Sequence, residues 1–164
     1  MMIEHSSWTQ RGLILATFVL GLVLALMPMS LGLAAWRPDW QILVLFYWLM
    51  AFPHRVSIGT AFILGIAVDV LLGTTFGIHA AAYSLVAYPV ARHYQRIRHF
   101  SLLQQAALMG FLVAAERTLA FTVEHYLNNA TLLSSYYWPV LSSALVWPWL
   151  YLLLRKIRRR FHLV

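Results

Sequence analysis

Residues 56–73 read VSIGTAFILGIAVDVLLG, an apolar run broken by a single charge, the carboxylate of Asp69. Its length is close to the ~20 residues a membrane-crossing helix needs. Entered from the cytoplasmic side, the run sets Asp69 about 13 residues in, some 20 Å deep at the helical rise and toward the outer half. An ionised Asp at a bilayer centre costs about 2.5–3.5 kcal/mol on insertion scales, so this side chain is expected to face protein or water rather than lipid.

The rest of the chain agrees with that solvent. Of 164 residues, 62% are hydrophobic and 10% charged, where a soluble domain carries about a quarter charged residues. There is no cysteine, which excludes disulfides, thiolate metal sites and Cys nucleophiles. The net charge of +7 would suggest nucleic acid in a soluble protein. Here the basic residues stand at the ends of apolar segments, which points to membrane orientation and not to nucleic acid.

Six apolar segments follow one another, at 12–29, 40–53, 56–73, 77–91, 101–123 and 138–154. Several are short, and Trp and Tyr at their edges extend them. The first resembles a secretory signal, with Arg11 ahead of it and Leu33-Ala34-Ala35 behind, but cleavage there would leave five apolar segments. Charge tests the count, because cytoplasmic loops collect Lys and Arg. With six spans and both termini inside, Arg11, Arg55, Arg92, Arg96, Arg98, Arg155, Lys156, Arg158, Arg159 and Arg160 are cytoplasmic, while Arg37 lies outside and Arg117 within a span. Reading 40–73 as one span would bury Arg55 and set the 92–98 cluster opposite the C-terminal one. The expectation is a single all-α transmembrane domain over residues 1–164.

Ala61, Gly65, Asp69 and Gly73 recur every four residues and form one helix stripe, small on both sides of the acid. Small residues let a second helix approach closely. That helix is either another part of this chain or a partner's. The fifth segment carries Glu116 and Arg117 at a similar depth, so an intramembrane pair between Asp69 and Arg117 is one expectation; snorkelling of Glu116 and Arg117 to the outer interface is the other.

Elsewhere the residues favour plain roles. AFPHRVSIG, 51–59, is a turn in which Pro53 stops a helix, Arg55 anchors the inner side and His54 has no second metal ligand at a recognisable spacing. WRPDW, 36–40, reads as a rigid interfacial turn with a local Arg37–Asp39 pair. The tail RKIRRRFHLV, 155–164, is suited to anionic lipid, each near-surface cation adding about 1 kcal/mol. Zinc-helix, serine-elbow and phosphate-loop motifs are missing from the sequence, and no catalytic residue, metal or cofactor is assigned.

The stretch WRPDWQILVLFYWLMAFPHRVSIGTAFILGIAVDVLLGTTFGIHA, together with LVWPWLYLLLRKIRRRF near the end, resembles the MreD family of rod shape-determining membrane proteins of Gram-negative bacteria. The motif falls on Arg37, Pro38, Trp40, Pro53, His54, Arg55, Gly59, Gly65, Asp69, Gly73 and Gly77. The resemblance implies an inner-membrane, non-enzymatic scaffold of the cell-elongation machinery that binds MreC and, through it, MreB, RodA and a penicillin-binding transpeptidase. It also implies a six-helix bundle similar to the substrate-binding subunits of energy-coupling-factor transporters. The alternative on the same bundle is a small-molecule-binding subunit of a membrane transporter.

Overall fold

The computed structural model describes residues 2–161, with side chains from residue 8 onward except that of Leu31. The described chain is helical throughout: α1 (Met2–Leu26), a one-turn α2 (Leu31–Ala34), α3 (Trp40–Ala51), α4 (Ile58–Leu72), α5 (Ile78–Arg98), α6 (Leu102–Asn128), a 3-10 turn (Ser134–Tyr137) and α7 (Trp138–Arg160). Each of the six apolar segments falls on one of the six longer helices; α3 and α4 lie within their segments, while α1, α5, α6 and α7 run beyond theirs. Three stretches, Trp8–Leu26, Leu102–Asn128 and Ser134–Arg160, are long and apolar enough to cross a membrane, while α3 and α4 are apolar but shorter.

The hub is α3, WQILVLFYWLMA. It is apolar all round, as a helix enclosed on every side must be, and every residue from Gln41 to Ala51 is buried. It packs against α1, α5 and α7. The indole N–H of Trp48 donates to Thr17 Oγ1 of α1 at 2.8 Å, and that of Trp147 reaches Gln105 Oε1 at 3.4 Å, so these large buried rings keep their polar atoms partnered. Trp147 is a fully buried core residue. With 12 residues, α3 is about 18 Å long, well short of the ~30 Å hydrocarbon core. Its two ends are recessed among longer helices, and each opens onto a cavity.

α4 and α5 form a helical hairpin through residues 73–77. The small-residue stripe is occupied by this chain's own α5: a Cβ on Gly65 would fall on the Ala80 backbone and lie 2.6 Å from the His79 carbonyl oxygen. Gly73 is not part of that contact. It closes α4 in the left-handed conformation at φ 66°, and Gly77 opens α5 at φ 96°. The fourth apolar segment ends at 91, but α5 continues to Arg98, bending at His93. Pro89 lacks the N–H that would bond the Leu85 carbonyl, one turn before it, and the helix runs on past it.

Candidate functional site

Asp69 lies in the last turn of α4, and its carboxylate faces the first turn of α5. The opening N–H groups of a helix have no partner within it and carry its positive end. Oδ2 of Asp69 accepts from the backbone N–H of Gly77 at 2.9 Å and of Ala80 at 3.4 Å. Oδ1 accepts from the His79 N–H at 3.1 Å, from the Thr74 hydroxyl at 2.9 Å and from His79 Nδ1 at 2.8 Å. One buried acid thus caps the next helix and fixes one imidazole. A carboxylate can only accept, so the His79 proton facing it sits on Nδ1.

This geometry corrects the expected Asp69–Arg117 pair. Asp69 is fully engaged by donors from 74–80, and Arg117 turns to the opposite wall. There Arg117 Nε and Nη2 donate to the two oxygens of Asp39 at 2.7 and 2.9 Å, in the bidentate form that suits a planar guanidinium. Its third nitrogen, Nη1, donates to the Tyr136 carbonyl at 2.8 Å, and its carbon lies 5.1 Å from the Tyr136 ring centre. The local Arg37–Asp39 pair is corrected as well. Pro38 directs its neighbours apart: Asp39 goes to α6, while the Arg37 guanidinium donates to the carbonyls of Ala25 and Met27 at the end of α1, where helix carbonyls lack partners. The backbone N–H of Asp39 donates to Ser143 Oγ of α7 at 2.9 Å.

Glu116 does not snorkel. It is 3% exposed, with Oε1 4.0 Å from His79 Nε2. Between these groups lies a cavity of about 450 Å3 at the N-terminal end of α3, bounded by Arg37, Asp39, His79, Glu116, Arg117 and Glu124 on its polar side and by Leu22, Val68 and Leu72 on its apolar side. Arg37 Nε, Trp40 Nε1, both amide atoms of Gln41 and Glu116 Oε1 are buried without a hydrogen-bond partner, and all four residues line this cavity. Buried polar atoms want partners, so the space suits hydrogen-bonding guests such as water. Among the described residues no group of three or more His, Asp or Glu could hold a metal ion.

Of the motif residues, Arg37, Pro38 and Trp40 line the cavity and Asp69 holds its His79 wall. Gly65, Gly73 and Gly77 shape the α4–α5 hairpin. Pro53, His54, Arg55 and Gly59 lie at the other end of the bundle, in the α3–α4 turn and the first turn of α4, with His54 exposed. His79 is the site residue that sequence reasoning missed. Its signal was the short Gly73–Gly77 turn, which returns the chain beside Asp69 two residues before His79.

A family model described as rod shape-determining protein MreD matches residues 6–157. The chain belongs to the MreD family. A curated relative, the rod shape-determining protein MreD of Haemophilus influenzae (strain ATCC 51907 / DSM 11121 / KW20 / Rd), is 41% identical over 154 residues, covering 92% of this chain and 93% of its own. No solved structure matches. The family places the chain among membrane proteins that determine cell shape, and its apolar helices agree. No finding supports the transporter-subunit alternative.

Proposed function

We propose that this chain is a non-enzymatic scaffold in the bacterial inner membrane, with six spans and both termini cytoplasmic, that binds MreC and helps position peptidoglycan synthesis. Through MreC it would connect to MreB, RodA and a penicillin-binding transpeptidase, while its C-terminal basic segment meets anionic lipid. The bundle is expected to resemble energy-coupling-factor substrate-binding subunits in helix order and packing.

One observation carries the reading beyond family membership: the charged contacts at the outer end join separate elements. Arg37 links the WRPDW turn to α1, Asp39 links it to α6, and Asp69 links α4 to α5. Asn128 Nδ2 further donates to Thr75 Oγ1 at 2.9 Å, tying α6 to the α4–α5 turn. Charges bound in this way hold helix ends in register, which suits a body whose outside is read by partners. That outside is apolar, with Ile63, Phe111 and Leu145 among its exposed side chains.

Photo-crosslinking scanned along 58–77 and 101–123 in native membranes tests the scaffold. Capture of MreC from a contiguous set of exposed positions is the expected result. Absence of MreC from every position, in a chain that still supports rod shape, would contradict it.

A further inference from the structure

The other end of α3 opens onto a second cavity, of about 630 Å3. Tyr47 and Phe52 form its α3 side, Arg98 comes from the last turn of α5, and Tyr151, Arg155 and Arg158 come from α7. Because α3 stops at Ala51 while α5 and α7 run on through their basic last turns, the arginines surround a recessed helix end. Arg98 Nη2 donates to the Ala51 carbonyl at 2.8 Å, so that end is already capped. The side chains of Arg155 and Arg158, three residues apart and on one face of α7, have no ion pair or hydrogen bond among the described residues. The four carboxylates whose side chains are described, Asp39, Asp69, Glu116 and Glu124, all belong to the opposite cavity or its His79 wall. Tyr47 lines the basic cavity, and its hydroxyl is buried with no hydrogen-bond partner, the residue being 2% exposed.

Every polar side chain on these walls can donate, and three carry positive charge. A site built of guanidinium forks and a phenol O–H calls for a group rich in anionic oxygen, and arginine matches phosphate in particular. Basic pockets between membrane helices on the cytoplasmic side take lipid headgroups by the same chemistry. The geometry points to a phosphate-binding site at the C-terminal end of α3, made by Arg98, Arg155, Arg158 and the Tyr47 hydroxyl, for the phosphate of an anionic lipid or a soluble phosphate. It deepens the anionic-lipid reading of the C-terminal segment and rests on it, but assigns the contact to the half-buried Arg155 and Arg158, with Arg98 beside them, rather than to the exposed Lys156, Arg159 and Arg160.

The test is native mass spectrometry of the full chain released from nanodiscs of mixed phosphatidylglycerol and phosphatidylcholine, with thermal unfolding in sodium phosphate alongside. The unaltered protein should retain phosphatidylglycerol at least about tenfold over phosphatidylcholine. Arg155→Gln with Arg158→Gln should reduce that retention about tenfold, and Lys156→Gln with Arg159→Gln and Arg160→Gln by less than about twofold. Tyr47→Phe should reduce it about threefold while leaving the unliganded Tm unchanged or higher, since it removes a hydroxyl without a partner; this variant decides the matter if the double one does not fold. Retention that excess phosphate does not displace identifies a lipid phosphate, whereas stabilisation by phosphate alone, lost in the double variant, identifies a soluble one. Loss of retention in the exposed triple variant only would overturn the pocket and keep the tail reading. Equal retention in all variants, with no response to phosphate, would overturn both.

Discussion

The two ends of α3 meet the same difficulty with opposite means. A 12-residue helix inside a bundle of longer ones leaves a hollow at each end. At the N-terminal end acids and bases meet: Asp39 is bound to Arg117, and Asp69 to His79 and to the first turn of α5. At the C-terminal end Arg98, Arg155 and Arg158 gather with no described carboxylate among them. Paired charges and unpaired positive charge therefore sit at opposite ends of α3. One end uses its charges to hold helices together; at the other Arg98 ties α5 to the end of α3, while the side chains of Arg155 and Arg158 have no described partner.

The contrast can be broken most forcefully at Asp69. Asp69→Leu leaves backbone donors at the start of α5 unpaired in a buried place and should cost about 4 kcal/mol. Asp69→Asn should cost about 3 kcal/mol, because all five partners donate and the amide nitrogen cannot accept. Equilibrium unfolding in mixed micelles measures both; an Asn variant close to unaltered stability would mean that the cap contributes little. Next comes Arg117→Met, expected to cost about 3 kcal/mol by leaving Asp39 without its cation. Gly65→Ala should follow at about 2 kcal/mol, since the new methyl meets the α5 backbone rather than a movable side chain. The same unfolding assay should show this loss with MreC absent, which separates internal packing from a partner interface.

The basic end should respond least. Arg155→Gln and Arg158→Gln should each change unliganded stability by no more than about 0.5 kcal/mol, as substitutions away from a structural network do. A loss near that of Arg117→Met would show that these arginines are also structural ties and would erase the contrast.

The sequence revealed the helices better than their partners. Apolar runs and flanking charges located every longer helix, since burial and bilayer thickness act on local composition. The 3.6-residue period also placed Gly65 and Asp69 on one stripe. What it could not give was the direction of neighbouring side chains on different helices. Glu116 and Arg117 stand about 100° apart around α6, so equal depth placed both near Asp69 while rotation sends only Glu116 toward its His79 partner. Asp39 looked like half of a local pair, yet its partner is 78 residues away. His79 was hidden because a lone histidine at a helix start has no signal until the turn before it is folded.

Arg117 is paired with Asp39, and Asp69 with the start of α5. A pair of double-mutant cycles tests it most directly, coupling Arg117→Met to Asp39→Asn in one and to Asp69→Asn in the other. A coupling above about 1.5 kcal/mol is predicted for Asp39 and one within about 0.5 kcal/mol of zero for Asp69. The reverse pattern would mean that Arg117 is paired with Asp69 and not with Asp39.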